Sequence, residues 1–82
     1  MNNITITHTL DAQGLFCPEP VMMLHNMIRD MQVGDVVEIL ATDPSTQRDF
    51  VKFCAFLEQE MLASEEIDGV YRFLICKQSE AE

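Results

Sequence analysis

From Ile4 to Asp11 apolar and polar side chains alternate, with Ile4, Ile6, His8 and Leu10 on one side and threonines on the other. A period of two belongs to a strand with one buried face. Asp11-Ala12-Gln13-Gly14 interrupts it as a loop, where Gly14 is free to take a positive φ. The period then lengthens. Between Pro18 and Met31 the residues Val21, Leu24, Met27, Ile28 and Met31 recur at three and four, with His25, Asn26, Arg29 and Asp30 opposite, which predicts an amphipathic helix. Gly34 is the expected close of that helix, and Val36–Ala41, short and β-branched, predicts an inner, parallel strand.

Thr42-Asp43-Pro44-Ser45-Thr46 combines a turn with helix-start chemistry, Ser45 or Thr46 being the expected cap and Asp49 an acid of the first turn. The following run to Leu62 puts Phe50, Phe53, Cys54, Leu57 and Met61 on one helical stripe. Ser64–Ile67 reads as a short polar edge strand, and Asp68-Gly69 as a two-residue hairpin turn with positive φ. Val70–Lys77 returns with Tyr71, Phe73 and Ile75 on one face and Arg72, Leu74 and Cys76 on the other. Residues 1–3 and the tail from Gln78 to Glu82 are expected to fray.

The order β-α-β-α-β-β implies an α/β (α+β) two-layer sandwich, a four-stranded mixed sheet with both helices on one face, formed by a single domain over residues 1–82. A right-handed crossover carries the first helix over the sheet. The loop between the first strand and that helix then lies at the carboxyl end of the strand, where open α/β sheets place their chemistry.

Charge and composition narrow the class. Five basic residues against fourteen acidic ones give a formal net charge of −9, which removes the positive footprint that phosphate-driven nucleic-acid binding needs. A basic protein partner fits better, and an acidity that serves only solubility fits equally well. No apolar run is long enough for a membrane span, and the N-terminus has neither a basic n-region nor an apolar h-region; a soluble cytoplasmic protein is expected. Cys17, Cys54 and Cys76 are odd in number and far apart, which argues against a disulfide framework and a zinc site and leaves no metal or cofactor expected.

Candidate chemistry concentrates in Gly14-Leu15-Phe16-Cys17-Pro18-Glu19-Pro20-Val21. Pro18 suits the first helical position, which makes Cys17 the cap and exposes its sulfur to the positive end of the helix dipole. Pro20 has no amide to donate and Glu19 adds a negative charge, so only a modest lowering of the thiol pKa is expected. A helix start one or two residues later is also compatible with the prolines. Against the reactive reading stands the usual fate of a free cysteine as an inert buried hydrophobe, which is the expectation for Cys54 within its helical stripe. Cys76 is expected on the outer side of the sheet, accessible but unactivated. Met27 and Met31 read as core filler, Met22 or Met23 as part of a docking surface, and His8 as a strand-end residue rather than a ligand.

Leu10-Asp11-Ala12-Gln13-Gly14-Leu15-Phe16-Cys17-Pro18-Glu19-Pro20-Val21 resembles the signature of the TusA (SirA-like) sulfur-carrier family. The likeness continues through Asp43-Pro44-Ser45-Thr46 with Arg48-Asp49, through Phe53-Cys54, and through Asp68-Gly69 with Tyr71-Arg72 and Leu74-Ile75. The resemblance implies a persulfide relay in which Cys17 takes a sulfane sulfur from a cysteine desulfurase (IscS-like) and passes it to a TusBCD-like complex. The sulfur then serves 2-thiolation of the wobble uridine in tRNA, without direct contact between this chain and nucleic acid or membrane. On this reading Cys17 is the catalytic residue, Asp11, Gly14, Pro18, Glu19 and Pro20 form the supporting loop, and the free protein is a monomer. Asp11 is expected to anchor the loop, as aspartate does in turns. The sequence departs from the family pattern at His25 and Asn26, where members often carry arginine or lysine, leaving Arg29 as the nearest cation on that helix. Two other functions suit the same residues: a non-catalytic adaptor or regulatory module, and a redox sensor using Cys17 alone.

Overall fold

Val37, Ile39 and Ala41 point to one side of their strand and are fully buried, and the architecture is arranged around them. The computed structural model describes residues 4–80. Six elements follow in the expected order: β1 (His8–Ala12), α1 (Glu19–Asp30), β2 (Val36–Ala41), α2 (Ser45–Leu57), β3 (Glu60–Ile67) and β4 (Val70–Cys76). They form one four-stranded sheet in the order β1-β2-β4-β3. The β1–β2 pair is parallel, while β4 runs antiparallel to both β2 and β3. Both helices lie on one face, as the alternation of Tyr71, Phe73 and Ile75 into the core requires.

The core between the layers is small and specific. Leu24 and Ile28 of α1 share one buried cluster with Ala12, Val37 and Ile39, and Phe50 of α2 sets its ring edge-on to Phe73 with centroids 4.7 Å apart. Met31 is buried and Met27 half-buried against this cluster, so these two methionines fill the core as expected. On the opposite face of the sheet, Arg72 donates to Glu38 at 2.6 Å and to Glu65 at 2.7 Å, tying β2, β4 and β3 together across their outer surface.

Several boundaries differ from expectation for identifiable reasons. The alternation from Ile4 does not make a strand until His8. Thr7 is held by its amide and hydroxyl to the Val36 carbonyl, but β2 begins there, and Ile4 and Ile6 have no strand to pair with and stay exposed. α2 ends at Leu57 rather than running to Leu62. Glu58 turns left-handed (φ 59°), and Gln59 N donates to the Cys54 carbonyl, which closes the helix. Met61 therefore reaches the core from β3, opposite Ile75, and the edge strand is longer than Ser64–Ile67. α1 stops at Asp30, with Met31 extended at its C-cap, before Gly34 is reached.

The tail is not frayed at its start. Gln59 Oε1 accepts the amides of Gln78 (2.6 Å) and Ser79 (3.3 Å). Lys77 is buried, with its ammonium donating to the Met31 carbonyl at 2.6 Å and pairing with Glu80 at 3.2 Å. A cation at the C-terminus of α1 complements the helix dipole. The expectations for residues 1–3 and 81–82 fall outside the described residues.

Asp68 (φ 53°) and Gly69 (φ 81°) form the predicted hairpin turn between β3 and β4. A Cβ at Gly69 would meet nothing within 4 Å, so any cost of a side chain there comes from the backbone. Gly69→Ala is expected to lower stability by about 1–2 kcal/mol, the penalty of a left-handed L-residue, read as a lower urea midpoint at unchanged slope.

Candidate functional site

Two βα loops meet beside the carboxyl ends of the parallel strands, and hydrogen bonds join them. After β1, Asp11 Oδ1 accepts from Gln13 N (3.0 Å) and Gln13 Nε2 (3.2 Å), the loop-anchoring role expected of it. Gly14, at φ 81°, donates its amide to Thr42 Oγ1 at 2.8 Å. The Cys17 amide donates to Asp43 Oδ2 at 2.7 Å, and the other oxygen of that carboxylate accepts from Ser45 N at 3.0 Å. Asp43 thus fixes the cysteine and the start of α2 with one side chain. Those two backbone donors, Ser45 first and then Cys17, hold its carboxyl below the usual range.

Cys17 is exposed, as expected, but it is not the cap of α1. The N-cap is Pro18 (φ −100°), joined to Cys17 by a cis peptide bond, and the helix begins at Glu19. Glu19 N donates to the Phe16 carbonyl at 2.9 Å, and Met22 N to the Pro18 carbonyl at 3.1 Å. Pro20 is buried beneath the turn. Phe16 and Met22 stand 71% and 59% exposed and give the neighbourhood of the sulfur an apolar rim. No cavity opens among the described residues, so the thiol sits on a surface.

The expected lowering of the thiol pKa is reversed. The Asp49 carboxylate faces Cys17 as an acceptor and raises its pKa, desolvation and the charges of Asp49 and Asp43 add to the rise, and the Ser45 hydroxyl opposes it. Beginning the helix at Glu19 leaves the sulfur outside the first turn, while α2 brings acids beside it. Asp49 is not in the first turn of α2, which holds no acid. It lies one turn further in, where it looks across at the β1–α1 loop. For a thiol with raised pKa the reactive thiolate is scarce at neutral pH and grows as pH climbs. Asp49→Asn is expected to move the midpoint of Cys17 alkylation by iodoacetamide to lower pH, speeding the reaction several-fold, about three- to tenfold, at pH 8.

Cys54 is a core thiol, pushed up to about 11 by burial, and Cys76 is half-buried on the outer face of the sheet. His8 stands at the other end of β1, 3.8 Å from Asp35, far from the chemistry in the fold. His25 turns its ring edge-on to Phe53 with centroids 6.0 Å apart, bridging α1 and α2. In the sequence Asp43 and Asp49 read as turn and helix-start chemistry and as part of the family likeness, with no sign of their place beside Cys17. Their contact with Cys17 is made by the fold.

Together these features define a small two-layer α+β domain that presents an exposed cysteine at the edge of two βα loops. Residues 8–77 match the family described as Sulfurtransferase TusA. A sulfur carrier protein TusA of Pseudomonas syringae pv. syringae is 49% identical over 80 residues, 98% of this chain and 95% of that one. One from Pseudomonas fluorescens is 55% identical over 71 residues, covering 87% and 86% of the two chains. The crystal structure of a SirA-like protein from Desulfitobacterium hafniense has the same fold, with a TM-score of 0.73 at 25% identity over 89% of this chain and all of the other. The chain belongs to the TusA family of sulfur carriers.

Proposed function

We propose that Cys17 carries sulfane sulfur as a persulfide, receiving it from an IscS-like cysteine desulfurase and yielding it to a TusBCD-like acceptor in the cytoplasm. The sulfur then feeds 2-thiolation of the tRNA wobble uridine, with the carrier monomeric between encounters and touching neither RNA nor membrane. What most supports this reading is that Cys17 alone of the three cysteines is exposed, on a surface open to a second protein's thiol. A carrier must let two different partners reach one sulfur in turn, and an enclosed thiol would admit neither. A peroxide sensor would use the same exposed thiol, but would form sulfenic acid or a mixed disulfide at low peroxide with no desulfurase present.

The test is sulfur loading. The protein is incubated with a cysteine desulfurase and L-cysteine, and its intact mass is measured. One added sulfur atom, removed by dithiothreitol, is expected; an unchanged mass under conditions that load a known carrier overturns the proposal.

A further inference from the structure

Ser45 occupies the first position of α2, and its side-chain oxygen is sealed from solvent with no hydrogen-bond partner. Buried hydroxyls almost always find a partner, and an orphan needs an explanation. The surroundings supply one. Ser45 N is held by Asp43 Oδ1 and Cys17 N by Asp43 Oδ2, so a single carboxylate sets the two residues side by side. The hydroxyl neighbours both the Asp43 carboxylate and the Cys17 sulfur and favours the charged form of each, yet it completes a hydrogen bond with neither.

We propose that the Ser45 hydroxyl is a catalytic donor to Cys17 Sγ whenever that sulfur carries negative charge. The inference rests on the persulfide reading for the steps it serves. In loading, the thiol proton leaves to solvent and the Cys17 thiolate attacks the outer sulfur of the donor persulfide. A new S–S bond forms at Sγ, the donor's own S–S bond breaks, and the donor's inner sulfur departs with the electron pair. In unloading, an acceptor thiolate attacks the outer sulfur on Cys17, and Sγ leaves with the pair as a thiolate. No net oxidation occurs in either exchange. Charge appears on Sγ in both, first as nucleophile and then as leaving group, and a fixed donor stabilises it each time without reorganisation. The site is thereby balanced between opposed neighbours. Asp49 and Asp43 disfavour the charged sulfur, and Ser45 favours the charge.

The experiment uses full-length protein in which Cys54 and Cys76 are alanine, so that alkylation reports Cys17. The pH profile of iodoacetamide alkylation is measured by intact mass for this parent and for its Ser45→Ala and Ser45→Thr derivatives, with far-UV circular dichroism confirming the fold of each. Ser45→Ala is expected to shift the midpoint upward by about one pH unit, slowing alkylation at neutral pH about tenfold, and Ser45→Thr to retain the parent profile. Coincident profiles for parent and Ser45→Ala overturn the inference, as does an equal shift in both derivatives, since a hydroxyl is present in only one. These outcomes are independent of any desulfurase. Failure of sulfur loading with a Ser45-dependent alkylation profile would strike the persulfide reading and leave the donor role standing.

Discussion

Cys17→Ser is expected to abolish sulfur loading by a cysteine desulfurase entirely, whereas Cys54→Ala and Cys76→Ala retain it. The argument is one of access and chemistry together. A serine oxygen forms no persulfide, so the loss is complete rather than graded. Cys54 is on the buried face of α2 and its thiol is pushed up to about 11, which leaves it neither reachable nor ionised. Cys76 is half-buried on the outer face of the sheet, its sulfur 3.9 Å from the Lys77 carbonyl. Intact mass after desulfurase treatment separates the three variants. Loading that survives Cys17→Ser, or that disappears with Cys76→Ala, would move the carrier sulfur elsewhere. Partner binding that survives Cys17→Ser while cellular thiolation also survives would instead favour the adaptor reading.

The largest expected effect on stability is at the junction of the layers. Phe50 is fully buried and packs edge-on against Phe73 with centroids 4.7 Å apart, joining α2 to the inner strand β4. Phe50→Ala removes that ring and leaves a cavity that the rigid sheet cannot close, at a cost of about 3–5 kcal/mol. A domain of this size has roughly 4–12 kcal/mol in total. The variant is therefore expected to lose about a quarter or more of its stability, and to lie near its unfolding midpoint if the parent is at the low end of that range. Urea denaturation followed by circular dichroism measures it. A loss below about 1 kcal/mol would contradict the packing of α2 on β4. The edge-on geometry should also show in a double-mutant cycle with Phe73→Leu, as a coupling of about 0.5–1.5 kcal/mol.

Much of the architecture follows from local pattern because local pattern is what makes it. In β4 the alternation of Tyr71, Phe73 and Ile75 against Arg72, Leu74 and Cys76 is the alternation of core against outer face, and Asp68-Gly69 is a turn wherever it sits. Boundaries set by a neighbour were hidden. Nothing in Ile4-Thr5-Ile6 reveals that the adjoining strand begins too late to pair with it. Leu57 and Met61 are spaced as in a helix, and a left-handed glutamate between them breaks the rule that glycine or asparagine marks such a stop. The buried ammonium of Lys77 was equally unreadable, since only the fold brings the Met31 carbonyl to it.

The site divides along the same line. The cysteine, its prolines and the Asp11 turn are contiguous and legible. Asp43 acts 26 positions away from Cys17 along the chain, and Asp49 further still, so their influence on the sulfur exists only after β1 and β2 are side by side. That separation also explains why the dipole argument gave the wrong sign. It weighed the helix that follows the cysteine and had no way to weigh the acids carried in by the other helix.

The position of β4 between β2 and β3 bears on how the chain is born. The strand that completes the middle of the sheet is the last of the four to leave the ribosome, and until it emerges β2 has only its parallel companion. Folding during synthesis can therefore reach no further than a β1-α1-β2 fragment with an open apolar edge, a species that invites aggregation or chaperone capture. A nonsense or frameshift lesion anywhere before Val70 would accordingly leave such a fragment without the strand that completes the hydrogen bonds of β2 and β3.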